Sequence, residues 1–570
     1  MSTRSAVAGA VLVAAAVAAA IVVVGRSDER ELPTTPRTGE PRALGFTDVA
    51  AEVGLRFRHA AFRFSTTPDV VAMTGGGVCW LDYDDDGWLD LFVVNAYSET
   101  DRSAWRERGG LPTSALFRNV RGRFTNVTKR SGADVEARGQ GCVAADFDRD
   151  GRTDLFVTTS DYPRLLWNDG DGTFTEGAEA AGMRIYGWYT GAAAGDLNGD
   201  GRPDLVVTGY VDLNDPNESA AQGFPNTYGG RRDLLFLNEG RSGGRATFRE
   251  VGERAGLEVA RFEYGLGVLL SDLDRDGDLD AYVANDTNPN RLYENVPWPG
   301  GVAADPFGLG FRFEERAGPA GAADPASGMG IAAADYDGDG RPDLFVTNAR
   351  RQIHAAYRGN PPNEQEPSFE DVRAVLGPPL SGSTGWGVSW GDIDLDTDLD
   401  LVLVNGSVPV LDPAGAAEYA EVFANLGADG RPGKPEDVSG AAGMQRVGRV
   451  LARGSAEADF DNDGDLDVAV NWIGGPLVLL ENTGTRGHWL EVLLDELRPG
   501  AEVTVVLPDG RELTREAQAG GSYLSSEDPR LHFGLGDAQR VREVRVRWPG
   551  GRVTRLTDVR ADRIVAVEEP

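Results

Sequence analysis

The stretch DYDDDGWLD, Asp82–Asp90, decides the fold, because the chain repeats its pattern seven times. The other copies are DFDRDGRTD (Asp146–Asp154), DLNGDGRPD (Asp196–Asp204), DLDRDGDLD (Asp272–Asp280), DYDGDGRPD (Asp335–Asp343), DIDLDTDLD (Asp392–Asp400) and DFDNDGDLD (Asp459–Asp467). Their starts are 64, 50, 76, 63, 57 and 67 residues apart. One acidic turn is a common surface feature. Seven that agree position by position mark an internal repeat.

The spacing has a chemical reading. Carboxylates at positions 1, 3 and 5 of a tight loop converge on one point, Gly at position 6 allows the sharp turn, and Asp at position 9 closes the shell. A cluster of hard oxygens suits calcium, whereas zinc prefers His and Cys. An EF-hand would run on to Glu at position 12 between helices; here position 12 is apolar, as at Val93, and the flanks are β-type. The expected calcium ligands are Asp82, Asp84, Asp86 and Asp90; Asp146, Asp148, Asp150 and Asp154; Asp196, Asn198, Asp200 and Asp204; Asp272, Asp274, Asp276 and Asp280; Asp335, Asp337, Asp339 and Asp343; Asp392, Asp394, Asp396 and Asp400; and Asp459, Asp461, Asp463 and Asp467. Up to seven ions are implied. Asn198 costs its loop one charge but keeps an oxygen. Thr397 takes the Gly position of the sixth loop, where positive φ strains a β-branched residue, so that site is expected to be the weakest or distorted.

The flanks repeat too. A Gly stands five residues before each first Asp (Gly77, Gly141, Gly191, Gly267, Gly330, Gly387 and Gly454), and runs such as DLFVVN, ALFRNV and FTNVTKRSG follow the loop. Each unit reads as four short strands, A to D, with the acidic loop as the A–B turn. Seven such units predict an all-β, seven-bladed β-propeller over residues 45–486. The seventh unit lacks its D strand, while a spare one begins at Phe46, so the N-terminal strand is expected to complete blade 7 and remove a free edge. Alternating direction puts A–B and C–D turns on one face and B–C and D–A connections on the other. That second face carries the long insertions 96–114 and 209–232 and the aromatics Tyr186, Trp188, Tyr189, Phe262, Tyr264 and Trp386. These rings either cap the core between blades or form a ligand face.

Composition agrees. Gly is 75 of 570 residues, about 13% against a usual 7% or so, which disfavours a helical bundle. The net charge is −34, with only Lys129 and Lys434 as lysines, so phosphate backbones and anionic lipid surfaces are excluded as partners. Cys79 and Cys142 are the two cysteines. They lie three and four residues before their loops, an offset that points them to opposite strand faces and favours buried thiols over a disulfide. At the N-terminus, residues 5–25 carry no charge and are long enough to span a bilayer. Export is expected, with this segment a retained anchor or a cleaved signal. Residues 26–44, charged and proline-bearing, read as a flexible linker.

The loops and their flanks resemble the FG-GAP/VCBS repeat family. After Gly487 the pattern gives way to GGSYLSSEDPRLHFGLG (Gly520–Gly536) and VRWPGG (Val546–Gly551), which resemble the ASPIC/UnbV domain, so residues 487–570 are expected to form a small, sandwich-like β domain. The pairing is similar to the cartilage acidic protein family. That resemblance implies calcium-bound extracellular proteins and brings no catalytic residues. The sequence offers none of its own: His59, His354, His488 and His532 share no metal spacing, and Gly240–Gly244 matches GxSxG only in a C–D turn, not on a strand-to-helix elbow. The leading expectation is a non-enzymatic, calcium-stabilised binding or adhesion module for a protein or carbohydrate. An accessory factor or enzyme of a biosynthetic pathway, and a structural envelope protein, are the alternatives.

Overall fold

The computed structural model describes residues 22–24, 32–35 and 44–570, apart from 66, 68, 221–222, 242–243, 258–262, 362–365, 377–381, 426–434, 485–486 and 496. Most of the N-terminal apolar segment, Phe262 and Ser242 therefore lie outside the described residues. No helix among the described residues is long and apolar enough to cross a membrane.

Seven four-stranded antiparallel sheets follow the seven repeats. Blade 1 comprises Val78–Leu81, Asp90–Val93, Ala115–Asn119 and Phe124–Asn126 as strands A to D. Blades 2 to 6 begin with Gly139–Ala145, Tyr189–Gly195, Gly265–Ser271, Gly328–Ala334 and Gly385–Gly391. Blade 7 runs Ala452–Ala458, Asp467–Trp472 and Val478–Asn482, and Phe46–Asp48 pairs antiparallel with the last of these. The spare N-terminal strand thus closes the ring. Each strand A packs on the next around the circle, and the seventh packs on the first. The strand-A glycines permit this approach: a Cβ on Gly330 would lie 2.0 Å from the Trp386 carbonyl oxygen of the neighbouring blade. Between blades, apolar faces interlock, as where Val206, Leu235 and Leu237 meet Val268, Leu270 and Ala281.

The C-terminal domain packs two sheets around a core that includes Leu490, Val503, Phe533, Val544 and Trp548. It sits on the acidic-loop face. Arg275 pairs with Glu502 at 2.6 Å, Arg511 donates to the Thr397 hydroxyl at 2.7 Å, and Arg530 donates to the Asp459 carbonyl at 2.6 Å.

One segment of this domain, Ala517–Asp528, enters the axis of the ring. The inner strands leave backbone N–H groups facing the channel, and buried donors need partners. Ala519 O accepts from Ala194 N, Ser522 O from Ile331 N, Leu524 O from Cys142 N and Ser526 O from Trp80 N, at 2.8–3.1 Å. Asp528 N donates to the Glu457 carbonyl at 3.0 Å, and the Tyr523 hydroxyl reaches Thr74 O at 2.9 Å near the far face. The plug therefore bonds to the inner strands of blades 1, 2, 3, 5 and 7 and occupies the channel.

One sequence expectation needs correction, and one pair of alternatives is resolved. Cys79 and Cys142 form a disulfide, with Cα atoms 6.2 Å apart. Counting alternate positions fixes side-chain direction only within one sheet; these strands belong to adjacent blades turned about the ring axis, so their offsets are not comparable. Among the insertion-face aromatics, Trp188, Tyr264 and Trp386 are buried around Tyr523 and Leu524 of the plug, and Tyr189 is buried between blades. They are core, and only Tyr186 of the described set is exposed.

Candidate metal centre

Six acidic loops share one hydrogen-bond scheme, and in the fourth the Asp276 N–H turns to Asp274 instead. The N–H at position 5 donates to the position 1 carboxylate, as from Asp86 to Asp82 at 3.1 Å, from Asp200 to Asp196 at 3.1 Å and from Asp463 to Asp459 at 3.0 Å. The N–H at position 6 donates to the same group, as from Gly87 at 2.8 Å and Gly464 at 2.7 Å. The sixth loop is not distorted: Thr397 adopts φ 91° and its N–H still reaches Asp392 at 2.9 Å. Its hydroxyl is taken by Arg511 of the C-terminal domain, a contact that Gly cannot make.

Position 9 anchors the loop to its blade. One oxygen of each of these Asp side chains accepts from the backbone N–H at position 2, at 3.0–3.3 Å in all seven loops. The other accepts from the backbone N–H that ends strand C, at 2.7–2.9 Å.

In six blades that strand-C residue is Asn, and its side chain crosses to the preceding blade. Asn119 Nδ2 reaches Phe460 O, Asn168 reaches Tyr83 O, Asn238 reaches Phe147 O, Asn295 reaches Leu197 O, and Asn482 reaches Ile393 O, all at 2.7–2.9 Å; Asn425 reaches Tyr336 O at 3.5 Å. Each asparagine rivets two loops together. Blade 5 has Gly359 instead, where a Cβ would lie 2.5 Å from Pro342 O. These asparagines were not among the expected functional residues, although the repeated Asn at the end of runs such as ALFRN and VLLEN was their signal.

The carboxylates converge. Oxygens of Asp82, Asp84 and Asp86 lie within 4.8 Å of one another, as do those of Asp272, Asp274 and Asp276 and of Asp335, Asp337 and Asp339; in the second and sixth loops position 9 joins instead, giving Asp146, Asp148 and Asp154, and Asp392, Asp394 and Asp400. In the third loop Asn198 turns its amide nitrogen to Asp200 at 2.9 Å. Burial, together with neighbouring carboxylates, pushes Asp82 up to about 6, Asp274 to about 7, and Asp343 and Asp461 to about 8. Such groups lack counter-charge, and an all-oxygen set of this kind fits a hard divalent cation.

Several loops also hold guanidinium groups, and in the first two they bridge two ligand carboxylates. Arg118 contacts Asp84 and Asp86 at 2.5 and 2.8 Å. Arg241 and Arg245 both contact Asp148 and Asp150 at 2.8–3.0 Å. The histidines take no part: burial lowers His59 to about 3 and His354 to about 4, His488 faces Asp562, and His532 faces the Gly464 carbonyl.

The repeats and the tail define the class of protein: a β-propeller of FG-GAP-like repeats with an ASPIC and UnbV domain. The FG-GAP-like repeat family matches residues 82–157, 146–207, 272–346 and 335–403, and ASPIC and UnbV matches 498–570. Among named proteins the chain is similar to cartilage acidic protein 1 of Mus musculus, 27% identical over 59% of this chain and 40% of that protein, and of Homo sapiens, 26% identical over 56% and 38%. The chain thus matches about two fifths of the length of these relatives. Among solved structures, an Agrocybe aegerita lectin that recognises non-reducing terminal N-acetylglucosamine aligns with TM-score 0.37 and 17% identity, over 66% of this chain and 88% of the lectin.

Proposed function

We propose that the chain is an exported, calcium-bound, non-enzymatic binding module whose partner, a protein or a carbohydrate, docks on the propeller face opposite the acidic loops. The distribution of exposed apolar side chains carries this reading. Of eleven exposed large hydrophobics among the described residues, eight lie in B–C or D–A connections: Phe64, Tyr186, Leu213, Phe224, Ile353, Val408, Leu411 and Tyr419. The other three, Val120, Val302 and Phe307, lie in C–D turns. The acidic-loop face is in part covered by the chain's own C-terminal domain, whereas among the described residues no other domain covers the opposite face. Apolar groups gathered on one face favour a docking role.

Calcium is supported by the oxygen-only clusters and by the kinship with FG-GAP-like repeats. Export is supported by the disulfide, a feature of oxidising compartments, and by the uncharged N-terminal stretch. Residues 43–570 should be screened on protein and glycan arrays in calcium and in EDTA, beside a variant with Tyr186, Phe224 and Leu411 changed to Ser. Binding in calcium that the variant loses supports the proposal. Undiminished binding by the variant, or no binding by either protein, refutes it.

A further inference from the structure

Glu457 occupies an unusual rung. It stands two residues before Asp459, and the other six inner strands have Trp80, Ala144, Ala194, Leu270, Ala333 and Trp390 there, none of them charged. Its side chain is buried, with 4% of its surface exposed, and Oε1 has no hydrogen-bond partner. Its other oxygen lies so close to blade 6 that a Cβ on Gly391 would be 2.4 Å away.

The plug brings a second carboxylate to the same place. Glu527 is half-buried and accepts a hydrogen bond from the Ser389 hydroxyl of blade 6. Both glutamates, with Asp528, line a cavity of about 150 Å³ between the ring and the C-terminal domain. Ser389, which holds Glu527, and Gly391, which Glu457 abuts, stand two residues apart on strand Gly385–Gly391 of blade 6, so both carboxylates lie against the same stretch of that strand. The guanidinium groups that line this cavity have other partners: Arg530 pairs with Asp528 at 2.6 Å and Glu491 at 3.1 Å, Arg275 with Glu502 at 2.6 Å, Arg341 with Asp339, and Arg515 donates to the Thr514 carbonyl at 2.9 Å. Buried carboxylates without a compensating cation are strongly unfavourable.

We infer that a divalent cation sits between Glu457 and Glu527, at a site distinct from the seven acidic loops. The donors are all oxygen, which selects a hard ion of the calcium, magnesium or manganese class. The cavity has room for the waters that complete its shell. One ligand comes from blade 7 and the other from the plug, so the ion fastens the C-terminal domain into the channel.

Crystals of the full chain soaked in manganese test the assignment through anomalous scattering. The expected map has a peak between the two carboxylates, about 2.0–2.6 Å from each, in addition to any peaks in the loops. Glu457→Gln removes that peak and leaves the loop peaks in place. If the map of the unaltered chain has no peak there, whether or not the loops fill, the inference is overturned and the two glutamates share a proton instead. A peak that survives unchanged in Glu457→Gln overturns it as well. Should the variant fail to fold, the map of the unaltered chain decides alone.

Discussion

Replacing Asn238 by Ala should cost about 2–4 kcal/mol. The side chain is buried, with 1% of its surface exposed, and makes three hydrogen bonds: Nδ2 to Phe147 O at 2.8 Å and to Pro203 O at 3.0 Å, and Oδ1 from Gly240 N at 2.9 Å. Truncation leaves polar groups unpaired where water has little access, and each such group costs about 1–3 kcal/mol. The three losses do not add fully, because the loops relax together. The backbone N–H of residue 238 still reaches Asp204, so the loop keeps its anchor and loses only its bond to the preceding blade. Urea unfolding in calcium-containing buffer measures the change, with Asn214→Ala on the exposed insertion as a control. A loss below about 0.5 kcal/mol, or one equal to the control, would refute the claim that these asparagines hold neighbouring blades together.

Changing both Cys79 and Cys142 to Ser should lower stability by about 4 kcal/mol, because the bridge closes a loop of 63 residues; denaturant midpoints with and without the bridge check this. In the second loop Arg241 and Arg245 compete with a cation for Asp148 and Asp150, so Arg245→Gln should tighten one calcium site, which titration calorimetry would register. Without calcium, the raised carboxylates favour their protonated forms in the folded chain. The folded state then binds more protons than the unfolded one between about pH 4 and the raised values near 6–8. In EDTA the chain should therefore melt lower at pH 8 than at pH 5.5, and a melt that rises with pH over this range would oppose that reasoning.

The scaffold was legible because it is periodic. Seven loops with the same internal pattern predicted seven blades, and the unpaired strand at Phe46 predicted how the ring closes. In five loops three of the acidic side chains converge for the same reason, since a nine-residue turn has little freedom. What stayed hidden depends on contacts between distant segments. Asn238 lies 91 residues from Phe147, and nothing local in the sequence announces that pairing. Gly520–Ser526 read as part of a domain motif, yet their backbone bonds to inner strands of the ring, which requires knowing where the tail docks. The disulfide eluded a parity argument because two blades do not share a pleat. Trp188, Tyr264 and Trp386 left a ligand face and a core open as alternatives until the plug tip was found packed among them.

Thermal unfolding of the full chain in millimolar calcium and in excess EDTA tests the calcium scaffold most directly. A site of about 0.1 mM affinity contributes roughly 1.4 kcal/mol at millimolar calcium. Seven loops together give on the order of 5–10 kcal/mol, comparable to the whole stability of a domain. EDTA also leaves the 27 expected ligand carboxylates, four in each of six loops and three in the third, to repel one another. The expected result is a large fall in melting temperature that added calcium restores. An identical melt in the two buffers would contradict the reading of the loops as calcium sites that hold the propeller together.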